Sequence, residues 1–234
     1  MKAVILAAGQ GKRLGLGAPK ALAKVDNISL IERTIHLFLT LGIRDLIIVV
    51  GYKAEEIEKF LSRSQIARDS KITWVENKEF HRGNGLSVFC VRDYVKEHFL
   101  LSMVDHIYEP APLLNFPQHL GDLVCVVDSK PRFADPEGAT KVLIEENRIK
   151  RVGKNLVNYN ALDCGLFLCS RKIFPVLEET LREGKDEWDE AKDRFAQRFG
   201  AEAFDLRGNF WLDVDTLEEL TRAEGLLRER KWKR

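Results

Sequence analysis

Short apolar runs alternate with amphipathic segments through the first half of the chain. The apolar runs are rich in β-branched residues and lie at 3–7, 46–50, 72–75, 98–104 and 123–127. The segments between them carry apolar side chains at helical spacing and lie at 31–41, 54–61 and 86–94. Strands that alternate with helices predict an α/β fold, in which a mostly parallel sheet is flanked by helices and a ligand crevice forms at the carboxyl ends of the strands.

The pattern changes after residue 137. Strands are predicted around the polar turn Glu146-Asn147 and in a longer apolar run, at 140–145, 148–152 and 162–169. Helices are predicted at 171–181, at 187–199 and from Thr216 through Arg230. We expect one domain over 1–234, in which a smaller hairpin and helical half at 138–234 covers the sheet of 1–137.

The composition is that of an ordinary globular protein. Hydrophobic residues make up 45% of the 234 positions and charged residues 31%, and the formal net charge is +1. Proteins that bind polymeric nucleic acid usually carry a basic excess, so this balance predicts no nucleic-acid partner. No metal-binding spacing connects the cysteines, and we expect all of them to be reduced and buried: Cys90, Cys125, Cys164 and Cys169.

The sequence also carries signals about location. No apolar stretch reaches the roughly 18 residues that a membrane-spanning helix needs, and no leader precedes the first strand. The chain is therefore expected to be cytoplasmic. The basic end at 228–234 has two interpretations, a frayed helix terminus or a segment that approaches the anionic inner face of a membrane.

A glycine-rich loop after the first apolar run is the strongest chemical signal. It reads Leu6-Ala7-Ala8-Gly9-Gln10-Gly11-Lys12-Arg13-Leu14, with Pro19-Lys20 downstream. Backbone N–H groups in such a loop surround an anion, and Arg13 and Lys20 add positive charge, which predicts a triphosphate site. A tight turn with two solvated cations is the alternative. The spacing excludes a Walker A loop, which would need a glycine at Leu6, and a dinucleotide fingerprint, which would need one at Leu14.

Carboxylates beside apolar segments predict a magnesium site, because Mg²⁺ is held by one or two carboxylates together with phosphate oxygens. Asp105 follows the run that ends at Val104, which places it at a strand's carboxyl end. Asp213 and Asp215 alternate in a short strand and so point the same way, with Asp215 the preferred ligand. The alternatives are that Asp105 opens a turn and that Asp213 or Asp215 caps the following helix.

Asn84 and Lys141 each have two interpretations. Asn84, with Gly85 and Ser87, lies where a loop could approach a nucleotide base, since an amide both donates and accepts, or it caps a helix. Lys141 contacts an acceptor phosphate if it points inward and is solvated if it points outward. If a nucleotidyl group is transferred to a phosphate that is already ionised, the protein needs to supply no nucleophile and no general base.

Taken in order, these motifs resemble the CTP:inositol-1-phosphate cytidylyltransferases, within the sugar nucleotidyltransferases of MobA-like, glycosyltransferase-A-like fold. The resemblance covers nearly the whole chain. Besides the loop and Pro19-Lys20, it rests on Asn84-Gly85-Leu86-Ser87, Met103-Val104-Asp105-His106-Ile107, Gly138-Ala139-Thr140-Lys141-Val142 and Trp211-Leu212-Asp213-Val214-Asp215-Thr216.

The resemblance implies a Rossmann-like core and magnesium-dependent transfer of CMP from CTP to L-myo-inositol 1-phosphate, giving CDP-inositol and pyrophosphate. Residues 1–137 would bind the nucleotide and 138–234 the acceptor. Relatives of this kind are often fused to a membrane-embedded phosphotransferase that uses the CDP-alcohol, so association with such a partner is a further expectation.

Carried over residue by residue, the resemblance gives roles to individual side chains. It implies that Arg13 and Lys20 bind the triphosphate and that the loop residues Leu6 to Gly11 surround it. Mg²⁺ would be held by Asp105, Asp213 and Asp215. Lys141 would contact the acceptor phosphate, and the acidic-x-Gly pair Asp163 and Gly165 would contact acceptor hydroxyls.

Other functions also fit the motifs. Within the enzymes these are phosphocholine cytidylyl transfer and uridylyl or guanylyl transfer to a sugar 1-phosphate. A phosphocholine site would need an aromatic cage, for which Trp188, Trp211 and Tyr159 are candidates. A second class is a non-catalytic nucleotide-sensing module, against which Arg13, Lys20 and Asp105 argue.

Overall fold

Strands and helices alternate through residues 1–116 and 121–229, the part of the chain that the computed structural model describes. The strands are β1 (Lys2–Leu6), β2 (Lys24–Val25), β3 (Ile28–Ser29), β4 (Asp45–Val50), β5 (Lys71–Glu76), β6 (Phe99–Met103), β7 (His106–Tyr108), β8 (Leu123–Asp128), β9 (Lys141–Glu145), β10 (Arg148–Gly153), β11 (Ala161–Cys169), β12 (Glu202–Asp205) and β13 (Trp211–Asp213). The α-helices are α1 (Leu30–Thr40), α2 (Ala54–Leu61), α3 (Asn84–Phe89), α4 (Pro110–Leu113), α5 (Ile173–Arg182), α6 (Trp188–Phe199) and α7 (Leu217–Glu229). Short 3₁₀ turns lie at Lys12–Leu14, Lys20–Leu22 and Ile66–Asp69.

One mixed sheet contains nine of the strands in the described residues, in the order β5-β4-β1-β6-β11-β8-β12-β10-β9. The first four are parallel neighbours, with Ala3 opposite Leu46 on one side of β1 and opposite Leu100 on the other. β11 runs antiparallel between β6 and β8. The predicted α/β sheet with flanking helices is confirmed. Its four neighbouring parallel strands lie in the half that carries the glycine-rich loop, and β8 and β12 form a further parallel pair in the other half.

The second half of the chain covers one face of this sheet with α5 and α6, as expected, but it also extends the sheet with β9, β10, β11 and β12. All nine residues of β11 are buried. A strand buried on both faces lies inside a sheet, where neighbouring strands satisfy its backbone and helices cover its faces. The predicted hairpin is confirmed as β9 and β10, and Glu146 and Asn147 take positive φ angles of 49° and 62° in its turn.

Alternate side chains of the sheet enter two apolar layers. In β1, Ala3 and Ile5 pack with α1 and α2, while Val4 and Leu6 pack with α3, α5 and α6. A third cluster joins Leu14 of the glycine-rich loop to β13 and α7. This cluster fixes one end of the loop beside the ribbon of β7 and β13, the segment that leads to Asp215.

Several local features differ from the sequence expectations. Helix α3 ends at Phe89 instead of continuing to residue 94, because Val91 and Tyr94 continue as tight turns that donate to the carbonyls three residues earlier. β7, β12 and the β2–β3 ribbon were not predicted. Cys125, Cys164 and Cys169 are buried free thiols as expected, but Cys90 lies at the end of α3 and is only half-buried.

The structure bears on one of the two expectations about a membrane, the absence of a spanning helix. Within residues 1–116 and 121–229, every helix is too short or too polar to cross a bilayer. The interpretation of the basic end concerns mainly residues 230–234, which lie outside the described part of the chain.

Candidate active site

The glycine-rich loop lies at the carboxyl end of β1, as predicted. Gly11 has a positive φ of 64°, and a Cβ at this position would lie 2.9 Å from the Cβ of Lys20. Only glycine combines this backbone conformation with so close an approach. Gly9 has no atom within 4 Å of the position of a Cβ, so this part of the loop is open.

Lys20 lies between two carboxylates from distant segments, and we call Lys20, Asp105 and Asp215 the Lys20 cluster. Its Nζ donates to Oδ2 of Asp105 and to Oδ1 of Asp215. Arg13 extends the cluster, since its Nη2 donates to Oδ2 of Asp215 at 2.6 Å. Burial alone would lower the pKa of Lys20, but the two carboxylates outweigh it and raise that pKa. The cluster therefore holds a charged lysine at the mouth of the loop.

His106 supports the carboxylate of Asp105 from the other side. Its Nδ1 lies 2.6 Å from Oδ1 of Asp105, and its ring stacks on Trp211 at 6.0 Å between centroids. Gly165 makes room for this ring, because a Cβ there would lie 2.7 Å from His106. Burial alone would raise the pKa of Asp105, but Lys20 and His106 hold it well below its usual range.

Asp215 takes part in the Lys20 cluster because other residues cap the helix that follows it. Oε2 of Glu219 accepts from the backbone N–H groups of Asp215 and Thr216 at 2.7 and 2.8 Å. The Thr216 hydroxyl accepts from the N–H of Glu219 at 3.2 Å, which completes a capping box for α7. The carboxylate of Asp215 is thus left to bind cations, which removes the helix-cap alternative for this residue.

Asp213 does not join the Lys20 cluster. It lies in β13 opposite His106, and burial raises the pKa of its carboxyl. Two of the three predicted carboxylates therefore meet at Lys20, those of Asp105 and Asp215. Within 1–116 and 121–229, no group of three or more His, Cys, Asp or Glu residues is arranged to hold a metal. Asp105 and Asp215 still fit Mg²⁺, since both are hard oxygen ligands that already contact one cation.

The loop opens into a cavity that we call the loop cavity. Most of the residues predicted to bind a nucleotide line it, together with two of the predicted Mg²⁺ ligands: Leu6, Ala8, Gly9, Gly11, Arg13, Lys20, Asn84 and Ser87, and Asp105 and Asp215. Ala7 and Gly85 do not. Ala7 is buried in the core and donates its N–H to the Val49 carbonyl at 2.8 Å.

Asn84 connects the loop cavity to a second cavity. Its Oδ1 accepts from the backbone N–H of Trp188 at 2.8 Å, so it caps α6 across the site instead of its own helix α3. Gly85 packs beside it, where a Cβ would lie 2.5 Å from the Asp186 carbonyl oxygen. Arg82 binds the Asp186 carboxylate through two bonds of 2.8 Å. The loop around Asn84 is thus fastened to the start of α6.

The second cavity, which we call the α6 cavity, adjoins the Lys20 cluster. Asp163, Gly165 and Asp213 line it together with Arg13, Asn84, Asp105 and Asp215. Lys141 lies outside both cavities, and its Nζ donates to the Glu137 carbonyl at 3.1 Å. Two other lysines, Lys154 and Lys192, line the α6 cavity instead.

Lys192 forms a second cluster, which we call the Lys192 cluster and define as Lys192, Asp163 and Asp189. Its Nζ contacts Oδ2 of Asp163 and lies 2.8 Å from Oδ1 of Asp189. The side chain is 2% exposed. Sequence reasoning missed Lys192, although a signal was present: it lies beside the apolar positions 188, 191 and 195, on the buried face of α6.

Phe80, Arg82 and Lys154 are further cavity residues that sequence reasoning did not place, and Trp188, considered there only for an aromatic cage, lines the α6 cavity. The first two lie between β5 and α3, in a loop whose path depends on its contacts with residue 186. Lys154 lies in a turn after β10. The alternation of side chains along a strand therefore does not predict where it points.

A glycine-rich loop at the end of a parallel strand, two carboxylates converging on one lysine and an adjoining polar cavity are together typical of a nucleotidyltransferase. Comparison with known families agrees. The chain belongs to the family of MobA-like NTP transferase domains, whose model matches residues 3–194.

Individual relatives show which members of this family the chain is similar to. The bifunctional IPC transferase and DIPP synthase of Rubrobacter xylanophilus is 38% identical over 228 residues, which cover 96% of this chain and 51% of that protein. The protein of the same name from Aquifex aeolicus is 35% identical over 229 residues, with coverages of 96% and 51%. The chain therefore spans about half the length of these relatives.

A solved structure is similar over nearly its whole length. The inositol-1-phosphate CTP transferase from T. maritima matches with a TM-score of 0.82 and 28% identity, covering 95% of this chain and 96% of that one.

Proposed function

We propose that this chain transfers CMP from CTP to L-myo-inositol 1-phosphate and releases pyrophosphate, with the assistance of Mg²⁺. The observation that carries the proposal is the position of Asp105 and Asp215, which line both cavities and share Lys20 between them. The substrates are taken from the T. maritima relative, an inositol-1-phosphate CTP transferase, and from the IPC transferases that align with almost all of this chain.

The loop cavity would bind the triphosphate. The backbone at Gly9 and Gly11 allows close approach of phosphate oxygens, and Lys20 and Arg13 neutralise the charge that develops on the leaving pyrophosphate. Arg13 is 63% exposed and can reorient toward a ligand. Asn84 and Ser87 would contact the base from the far side of the cavity, where Ser87 is fixed by a 2.9 Å bond from Asn77.

Asp105 and Asp215 would hold Mg²⁺, with Asp213 close by in the α6 cavity. When bound, the ion withdraws charge from the α-phosphate and orients the triphosphate. His106 keeps the Asp105 carboxylate ionised and fixed in direction through its 2.6 Å contact.

The α6 cavity would bind the acceptor. We propose Lys154, which lines this cavity, in place of Lys141 as the cation for the acceptor phosphate. That phosphate is already ionised near neutral pH and attacks the α-phosphorus directly, so the protein supplies position and charge instead of a base. Asp163 and Gly165 remain the proposed contacts for acceptor hydroxyls.

In this account the two cavities belong to one nucleotidyltransferase domain, with the nucleotide bound by 1–137 and the acceptor by 138–234. The product, CDP-inositol, would pass to a membrane CDP-alcohol phosphotransferase. The names of the bifunctional relatives, which include a DIPP synthase activity, support a coupled second step.

The test is a pyrophosphate-release assay in which each of the four nucleoside triphosphates is combined with inositol 1-phosphate, glucose 1-phosphate or phosphocholine. We expect CTP with inositol 1-phosphate to give a kcat/KM at least about tenfold above every other pair, and chelation of Mg²⁺ by EDTA to abolish release. Faster turnover of another pair, or release that persists in EDTA, would refute the proposal.

A further inference from the structure

Lys192 is a buried cation in the wall of the α6 cavity, and the proposed transfer does not use it. Its side chain is 2% exposed, and its Nζ lies between Asp163 and Asp189. The same Nζ lies 4.6 Å from the centroid of the Phe167 ring. Phe167 also lines the cavity, so this ammonium fills the cation position over an aromatic face of the site.

The Lys192 cluster is fixed by contacts on every side. The second oxygen of Asp163 accepts from the Gly165 N–H at 2.8 Å, and the second oxygen of Asp189 accepts from the Thr140 hydroxyl at 2.7 Å. Burial alone would lower the pKa of Lys192, but the two carboxylates raise it. The lysine is therefore a permanent charge and not an exchangeable one.

The polar atoms of this wall suit hydroxyl groups. Carboxylate oxygens keep lone pairs that accept from ligand hydroxyls. The Trp188 side chain is buried and lines the cavity, and its indole nitrogen has no hydrogen-bond partner within residues 1–116 and 121–229. This nitrogen is itself closed off from the cavity, so the carboxylate oxygens are the polar atoms that this wall presents to a ligand.

A ligand that carries an ammonium group would find the favourable positions at this wall already taken by Lys192. The face of Phe167 that would stabilise it is already occupied by the Lys192 ammonium, so this wall offers no free cation–π position. The carboxylates that would attract it already bind Lys192.

We propose that Lys192 determines acceptor specificity, by admitting phosphorylated acceptors with a neutral polyhydroxylated ring and excluding those with an ammonium group. This inference rests on the proposed transfer to a phosphorylated acceptor, and it adds the residue that sets the acceptor class.

The test compares the wild type with Lys192→Met and with the double variant Lys192→Met/Asp189→Asn. The double variant removes the ammonium and one carboxylate together, so the cluster keeps its net charge and the buried Asp163 is not left beside a second unpaired carboxylate. Lys150→Met is the matched control, because Lys150 is an exposed lysine whose ion pair is a 3.6 Å contact with Glu145. Circular dichroism and thermal unfolding establish that each variant is folded.

The measured quantity is the ratio of kcat/KM for inositol 1-phosphate to kcat/KM for phosphocholine, at saturating CTP. We expect this ratio to fall about 100-fold in the folded double variant and to stay unchanged in Lys150→Met, with the KM for CTP unaffected in both. An unchanged ratio in the folded double variant would overturn the proposal.

The wild-type profile separates this inference from the proposed function. If the wild type prefers another polyhydroxylated phosphate and the double variant still gains phosphocholine turnover, inositol specificity is wrong and the role of Lys192 stands. If the wild type itself uses phosphocholine as well as it uses polyol phosphates, the role of Lys192 is wrong, and this outcome needs no variant.

Discussion

The Lys20 cluster and the Lys192 cluster have the same composition, one lysine between two aspartates, but different surroundings. The lysine side chain is 10% exposed in the first and 2% exposed in the second. Arg13 stands beside the first in solvent, whereas Phe167 and Trp188 enclose the second.

The difference in burial means that the same arrangement of charges can serve two different functions. A lysine at the edge of a cavity can exchange its carboxylates for phosphate oxygens when a ligand arrives, because water and ligand groups replace the lost contacts. A lysine inside the wall cannot, since separation would leave charges buried without partners. The first cluster is suited to chemistry and the second to selection.

The largest effect is expected from breaking the Lys20 cluster at Asp105. Asp105→Asn keeps the shape of the side chain but removes the charge that would hold Mg²⁺. We expect kcat for pyrophosphate release to fall about a thousandfold or more, as for other preorganised charge sites. Asp93→Asn, at a 77% exposed surface carboxylate, is the control and should retain full activity. Unchanged turnover in Asp105→Asn would favour the nucleotide-sensing alternative.

Replacing each lysine by methionine should separate the clusters by stability. Lys192→Met leaves the Asp163 carboxylate, which is 4% exposed, and the Asp189 carboxylate, which is 23% exposed, without their cation and should lower the free energy of unfolding by about 3–5 kcal/mol. Lys20→Met should lower it by about 1 kcal/mol, because Asp105 and Asp215 are 16% and 22% exposed and Arg13 remains beside them. Urea denaturation measures both, and equal losses would contradict the distinction.

Two buried tryptophans differ in whether the indole nitrogen has a hydrogen-bond partner. The Trp211 indole donates to Asp128 at 2.8 Å, whereas the Trp188 indole has no partner in the described residues. Trp211→Phe should therefore lower the free energy of unfolding by about 1–3 kcal/mol more than Trp188→Phe. Only if the unpartnered donor serves a ligand should Trp188→Phe also raise the KM for the acceptor.

Trp74→Phe, outside both cavities, is the control for acceptor binding in that experiment. Equal losses of stability in the two buried variants would show that the Trp188 N–H has a partner in solution.

The smallest expected effect is a pH dependence in the Lys192 cluster. Burial would raise the pKa of Asp189, but Lys192 and Thr140 hold it below its ordinary value. A carboxyl whose pKa is lowered by folding stabilises the protein above its unfolded value near 3.9, and this contribution is lost as the pH falls below it. The stability difference between wild type and Asp189→Asn, on the order of 1 kcal/mol, should thus shrink from pH 6 to pH 3. A difference that grows on acidification would contradict this sign.

The fold was predictable where strands are buried on both faces. The runs that became β1, β4 and β8 are apolar throughout, so composition alone identifies them. β12 was missed because its four residues are mixed in polarity and partly exposed. The position of β11 between β6 and β8 depends on pairings between residues far apart in sequence, which no local pattern encodes.

The site was predictable where it is local. The glycine-rich loop, Lys20 and Asp105 follow from short motifs at strand ends. Lys154 lines the α6 cavity whereas Lys141 donates to the Glu137 carbonyl, and the Asp215 carboxylate is available because Glu219 and Thr216 cap α7. These outcomes come from tertiary contacts and could not be obtained from spacing.

The central claim is that Asp105 and Asp215 together hold the divalent ion beside a triphosphate bound in the glycine-rich loop. Crystals grown with CTP and Mn²⁺, and measured at the manganese absorption edge, test it most directly. If Asp105 and Asp215 hold the ion, we expect an anomalous peak at bonding distance from one oxygen of each carboxylate and a contact between Lys20 and a phosphate oxygen. A peak away from either carboxylate, or a triphosphate outside the loop, would contradict it.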